Sequence, residues 1–315
     1  MGNQLSQAFP PAPTFTDATL PDLASRVYIV TGASTGVGKE LARLLYSRNS
    51  TVYIAARSAE KANSAISWIK EHHPNSTGQL HFLMLDLNDL RGIKSSAEEF
   101  LSKEKRLDVL FNNAGVMMPP QGSKTTQGFE LQLGTNCLAP FLFTKLLTPM
   151  LVQTAKSSPA GSVRVVWVSS SAAEVVAPLG GLDMENLDFK KKDLSATAKY
   201  GVSKAGNILH AIEYQRRYKD KGVVSIALHP GLLKSDLQRH AGWLLNVLFR
   251  PLQHAPVNGA YTELFAGLAP EAGKLEEGEW VIPWGRVAEV RKDLVTKGKA
   301  EPFWKWSEDQ VERFA

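Results

Sequence analysis

The feature that most constrains this chain is a rhythm. From Arg26 onward, short runs rich in β-branched residues alternate with longer amphipathic stretches. That alternation marks repeated βαβ units, in which helices cover both faces of a parallel sheet. Candidate strands are 26–31 (RVYIVT), 51–56 (TVYIAA), 80–86 (LHFLMLD), 107–112 (LDVLFN), 163–169 (VRVVWVS), 223–229 (VVSIALH) and 279–283 (EWVIP). Their apolar character is nearly continuous, as strands buried on both faces require. Helices are expected at 37–48, 59–71, 134–155 and 198–219. The fold class is α/β, a doubly wound parallel sheet of about seven strands.

The 315 residues are 43% hydrophobic, enough for one large core. One domain is expected over 25–315, behind an extended N-terminal tail, 1–24, and ending in a C-terminal tail, 286–315. Between 230 and 275, Gly231, Gly242, Pro251, Pro256 and Gly259 break the βα rhythm, and this stretch reads as a helical substrate lid.

Composition excludes several function classes. Thirty-six Lys and Arg against 31 Asp and Glu give a net charge of +5, too mild for a dedicated nucleic-acid binder. The single cysteine, Cys137, leaves no intramolecular disulfide and no cysteine-based zinc site, so a reducing, cytoplasmic setting is expected. No uninterrupted apolar run reaches a bilayer's thickness, and no secretory signal opens the chain. The triplets at Asn49 and Asn75 are therefore read as chance matches to a glycosylation pattern. The opening MGNQLS fits the pattern for N-myristoylation at Gly2, ahead of the Pro-rich stretch at Pro10, Pro11 and Pro13, which would give a peripheral membrane contact.

Directly after the first strand comes TGASTGVG, Thr31 to Gly38, followed by the helix-forming run KELARLL. Gly32, Gly36 and Gly38 allow a sharp turn and a close backbone approach to a pyrophosphate, with helix N–H groups aimed at it. The arrangement is Rossmann-type, although the spacing is Gly-x-x-x-Gly-x-Gly. A plain tight turn has the same composition; the position between strand and helix favours the dinucleotide. At the end of the second strand an acidic residue would bind the ribose 2′-hydroxyl of NAD, but Ala56, Arg57 and Ser58 stand there. A guanidinium can clamp a 2′-phosphate, so NADP(H) is the expected cofactor. A surface arginine at a strand end would look the same, and Lys39 reads as a solvated helix lysine that adds charge at most.

Tyr200 and Lys204 in YGVSK share a helix face at a spacing of four. A phenol is a poor acid–base catalyst at pH 7 unless a nearby ammonium stabilises phenolate. An ordinary amphipathic helix would show the same pair. Here a strand ends in Ser169, Ser170 and Ser171, whose hydroxyls can hold a carbonyl, and NNAG (Asn112 to Gly115) ends the fourth strand, where open α/β sheets bind ligands.

Together, TGASTGVG, Asp86-Leu87, NNAG, LGTN ending at Asn136, VSS, YGVSK and HPG (His229 to Gly231) resemble the short-chain dehydrogenase/reductase family, in that family's order over about residues 25–290. YGVSKAGNILHAIEYQRRY and the long gap between the serines and Tyr200 are most similar to its retinol dehydrogenase and WW-domain oxidoreductase-like branch, which is NADP-linked. The resemblance implies that Tyr200 is the acid in carbonyl reduction or the base in alcohol oxidation. It implies that Lys204 lowers the Tyr200 pKa and binds the nicotinamide ribose, that Ser170 orients substrate, and that Asn136 holds a water relaying protons from Lys204. Gly32, Ser34, Thr35, Gly36, Val37 and Gly38 would cradle the dinucleotide. Asn112, Ala114 and Gly115 would line its adenosine ribose side, Asp86 and Leu87 its adenine, and Pro230 and Gly231 its nicotinamide. Ser235 stands where the family often has a threonine for the carboxamide. A homodimer or homotetramer is also implied.

Other residues read more plainly. His72 and His73 are solvated loop residues, and Cys137 is a small core residue. Met117 and Met118 are equally pocket or core. The run 243–252 (WLLNVLFRPL) suits a lipophilic substrate, membrane contact, an oligomer interface or a helix packed on the core. Trp280, Trp284, Trp304 and Trp306 close the pocket or anchor the tail. The expected function is hydride exchange between NADP(H) and a carbonyl or alcohol of a lipophilic molecule; the competing reading is a non-catalytic NADPH sensor or scaffold of the same fold.

Overall fold

The computed structural model describes residues 6–234, 253–296 and 298–315. Gly2, Ser235, Gly242, Pro251 and the apolar run 243–252 lie outside them. The sheet has eight strands, one more than expected. They are β1 (Val27–Thr31), β2 (Thr51–Ala56), β3 (Gln79–Met84), β4 (Val109–Asn112), β5 (Val163–Val168), β6 (Val223–Leu228), β7 (Glu279–Ile282) and β8 (Arg286–Glu289). Their spatial order is β3-β2-β1-β4-β5-β6-β7-β8, all parallel until β8, which pairs antiparallel to β7. The chain reverses its winding between β1 and β4, the switch point at which open α/β sheets bind ligands.

Alternate residues of each strand enter opposite cores, as a side-chain period of two demands. Ile29, Tyr53, Leu83, Leu110, Val165 and Trp167 face one side, with α3 (Ile93–Lys103), α4 (Leu131–Ala155), α5 (Ala196–Tyr218) and α7 (Ala300–Val311). Tyr28, Val30, Ile54, Phe111, Val166 and Val168 face the other, with α1 (Gly36–Tyr46), α2 (Ala59–His72) and α6 (Pro256–Leu268). Among the described residues α4 is the one helix long and apolar enough to cross a bilayer, and it is packed on the sheet.

Three expected boundaries change. Residues 256–268 are no lid: α6 lies on the sheet against α1 and β5. It is apolar on nearly all sides, and a helix buried all round carries no amphipathic stripe for the sequence to display. The first 24 residues are not simply extended either, because Leu20 and Leu23 are buried and the Phe15 ring meets Phe265 edge-on at 5.9 Å. The C-terminal stretch, 286–315, is folded as β8, a short helix at Lys292–Thr296, and α7. Trp304 is buried there beside Phe141 and His210, which anchors the chain end.

Candidate active site

A cavity of about 1020 Å³ runs along the C-terminal ends of the strands. One end lies over the glycine turn. Gly32 and Gly36 have φ of +69° and +58°, a region open to glycine and strained for other residues. A Cβ on Gly38 would lie 2.5 Å from the Asn113 amide nitrogen, so only glycine lets α1 start this close to β4. Thr31 and Asn113 fasten that approach. Asn113 Nδ2 donates to the Thr31 carbonyl at 2.7 Å, and Thr31 Oγ1 accepts from the Ala114 N–H at 2.9 Å. Thr35 is the N-cap of α1, yet its side chain does not bond back to the helix. Thr35 and the first N–H groups of α1 are thus available to an anion, and Ser34, Thr35, Gly36, Val37 and Gly38 all line the cavity.

At the rim beyond this turn, Arg57, Ser58 and Lys61 line the cavity with Asp86 and Leu87. Asp86 is the single acidic residue among the described lining residues, against Arg57, Lys61, Lys124 and Lys204. Lys39 takes no part: its ammonium lies 3.8 Å over the Trp68 ring. Asn112 also departs from expectation. It follows Phe111 on β4, so its side chain points to the opposite face, where Nδ2 donates to Thr144 Oγ1 of α4 at 2.9 Å. Asn113 lines the cavity instead, together with Ala114 and Gly115.

The other end of the cavity gathers Ser170, Tyr200, Lys204, Pro230 and Gly231. The register of the three serines is resolved. Ser169 is buried and donates to the Lys204 carbonyl at 2.7 Å, holding β5 to α5. Ser170 is hydrogen-bonded to the Tyr200 side chain, and Ser171 is exposed. Burial pushes the Tyr200 phenol up to about 12, with the Ser170 hydrogen bond working against it. The Lys204 ammonium lies over the Tyr200 ring, 5.7 Å from its centre, and donates to the Val168 carbonyl at 2.8 Å. Burial pushes Lys204 down to about 8.

Asn136 sits within the π-helical stretch Gly134–Leu138 of α4. Its Oδ1 accepts from the Val116 N–H at 2.8 Å, and its Nδ2 donates to the Val116 carbonyl and to Ser203 Oγ, each at 3.0 Å. The amide is therefore a brace between β4 and α5. Pro140, four residues on, has no N–H to give the Asn136 carbonyl its α-helical bond. Cys137 is fully buried, its thiol pushed up by desolvation, as suits a core residue. Met117 lines the cavity.

One buried acid outside the cavity lining carries no signal in the sequence. Glu263 of α6 is fully buried, and neither carboxyl oxygen has a hydrogen-bond partner. Gly259 and Gly267, one turn to either side, pack against Pro230 and the Phe111 ring, so Glu263 faces the sheet beneath the catalytic end. Burial pushes it up to about 8, with the Lys204 charge working against that.

The chain as a whole has counterparts among known proteins. The short chain dehydrogenase family model matches residues 26–181. A short-chain dehydrogenase/reductase of Phomopsis amygdali is 52% identical, covering 99% of this chain and 97% of that protein. Another, from Emericella nidulans, is 49% identical over 96% of this chain and 97% of its own. Among solved structures, an uncharacterised protein of Mycobacterium paratuberculosis has a TM-score of 0.69 at 30% identity, over 95% of this chain and 97% of that one. The chain belongs to the short-chain dehydrogenase/reductase family, whose members use NAD(P)(H), and it is an oxidoreductase.

Proposed function

We propose that the chain is an NADP(H)-dependent carbonyl reductase or alcohol dehydrogenase acting on a lipophilic small molecule. The observation that carries this reading is the single cavity with a basic rim at one end and the Ser170–Tyr200 pair at the other. The residues fit a dinucleotide: the cradle at Gly32, Gly36 and Gly38 has no room for a Cβ at Gly38, and the α1 N-terminus keeps its N–H groups for an anion. Arg57, Ser58 and Lys61 would take the 2′-phosphate, Asp86 and Leu87 the adenine, and Pro230 and Gly231 the nicotinamide side. When bound, that nicotinamide supplies or receives the hydride.

The chain's own part is proton handling and orientation. A phenol held near 12 is protonated at neutral pH, so Tyr200 stands ready to donate a proton to a carbonyl oxygen as negative charge develops there. Ser170, bonded to the same hydroxyl, donates to that oxygen and orients it. In alcohol oxidation Tyr200 must first lose its proton. The Asn136 brace, bonded to Ser203 Oγ, keeps α4 beside α5 and Lys204. The lipophilic substrate is supported by Val116, Met117, Leu232 and Leu233 in the lining, and by Val175 and Leu179, 66% and 79% exposed on the segment after Ser170.

The test is consumption of NADPH, with NADH alongside, over apolar aldehydes and ketones graded by size. Turnover preferring NADPH is expected. Tight NADPH binding without turnover on any carbonyl would favour the sensor or scaffold reading instead.

A further inference from the structure

The N-terminal segment contacts the nicotinamide side of the cavity across more than two hundred residues of sequence. His229, at the end of β6, is buried, and its Nδ1 accepts from the Gly231 N–H at 3.2 Å. The hydrogen is therefore on Nε2, which donates to Gln7 Oε1 at 2.9 Å. Gln7 is itself buried. Beside it, the Arg286 guanidinium donates to the Ser6 carbonyl at 2.7 Å and to the Pro283 carbonyl at 2.6 Å. The Trp284 ring then fills the space against Gly231, where a Cβ would come within 2.6 Å of it. His254 packs edge-on against Trp284 at 5.0 Å, with its Nε2 lying 3.5 Å from the Ala8 carbonyl. Leu233 and His254 form a bridge, so the points where residues 235–252 leave and return are held together.

Three chain segments that meet at the nicotinamide end are thus tied to one another by Ser6, Gln7 and Ala8. The geometry points to Gln7 as a positioning residue: through His229 it sets the Pro230–Gly231 wall against which the nicotinamide half of the cofactor would lie. This rests on the dinucleotide reading of the cavity. The ring has one donor and one acceptor, both used, so losing the Gln7 acceptor leaves the wall free to shift without touching the glycine turn or Arg57.

The experiment compares full-length wild type with Gln7→Met, which keeps the length but removes the acceptor, and Gln7→Glu, which keeps an acceptor oxygen. Dissociation constants are measured for NADPH and for adenosine 2′,5′-bisphosphate, a fragment that reaches only the adenine end. In Gln7→Met, NADPH binding should weaken roughly three- to tenfold, the worth of one buried hydrogen bond. Fragment binding should be unchanged, and Gln7→Glu should restore NADPH affinity. Equal NADPH affinity in wild type and Gln7→Met, a parallel loss for the fragment, or no recovery in Gln7→Glu would each overturn the proposal. If wild type binds neither ligand, the dinucleotide reading itself fails.

Discussion

Glu263 offers a test of the buried chemistry that needs no substrate. The carboxyl is fully enclosed, has no hydrogen-bond partner, and is pushed from the ordinary 4.5 up to about 8 by burial. The folded chain therefore keeps its proton over a range where the unfolded chain has released it. Stability is complete below about pH 4.5 and falls as pH rises, until the folded group also ionises near pH 8. At about 1.4 kcal/mol per unit, the interval from pH 5.5 to the folded pKa is worth roughly 3 kcal/mol. Lys204 does not confuse the window. Its pKa is lowered to about 8, so its own contribution changes only above that pH, where the unfolded lysine still holds a proton. Glu263→Gln removes the titration and keeps the shape. Urea unfolding, followed by tryptophan fluorescence at several pH values, should show wild type losing roughly 3 kcal/mol more than the variant between pH 5.5 and 8. Parallel pH profiles for the two proteins would refute a neutral, unpartnered Glu263, and would mean that the carboxylate is already paired with a charge.

Three further outcomes follow from the site. Arg57→Ala should weaken NADPH binding by roughly ten- to a hundredfold and leave NADH unaffected, the outcome that the proposed charge-assisted grip of Arg57 on a 2′-phosphate requires; fluorescence titration with both nucleotides reads it. Tyr200→Phe should lower kcat by about a hundredfold or more while NADPH still binds, because the proton donor is gone and the cradle is intact. Gly38→Ala should abolish cofactor binding and cost about 1–3 kcal/mol in thermal unfolding, because the new methyl meets Asn113 and the α1 N-terminus must move.

Much of this was legible because it is local. A glycine turn between a strand and a helix, a Tyr–Lys pair at helical spacing, and serines at a strand end are each written within a few residues, and the structure brings them to one cavity. The dinucleotide strands were legible for the same reason: a strand buried on both faces is apolar throughout. Asn112 was misread because two adjacent asparagines at a strand end point to opposite faces, and the sequence does not mark which face is the cavity. Backbone spacing puts Lys204 on the Tyr200 face, where its ammonium lies 5.7 Å over the ring, but spacing does not show that the lysine's long chain also reaches the Val168 carbonyl at the end of β5.

The remainder depends on contacts between distant segments. β8 (Arg286–Glu289) alternates half-buried and exposed residues over only four positions, a pattern too short to separate from a turn. Helix α6 holds one proline, two glycines and few charges, so its composition resembles a loop. Only its position on the sheet turns Glu263 from a surface carboxylate into the most thoroughly desolvated acid beneath the site. Gln7 is a polar residue near a chain end, where ordinary expectation is exposure. It is buried, its Oε1 accepts from His229, 222 positions away, and a buried imidazole N–H left without an acceptor would cost about 1–3 kcal/mol. The catalytic end of the cavity is thus bounded by groups whose chemistry is set by tertiary neighbours, and its cofactor end by groups whose chemistry is set by the backbone turn on which they stand.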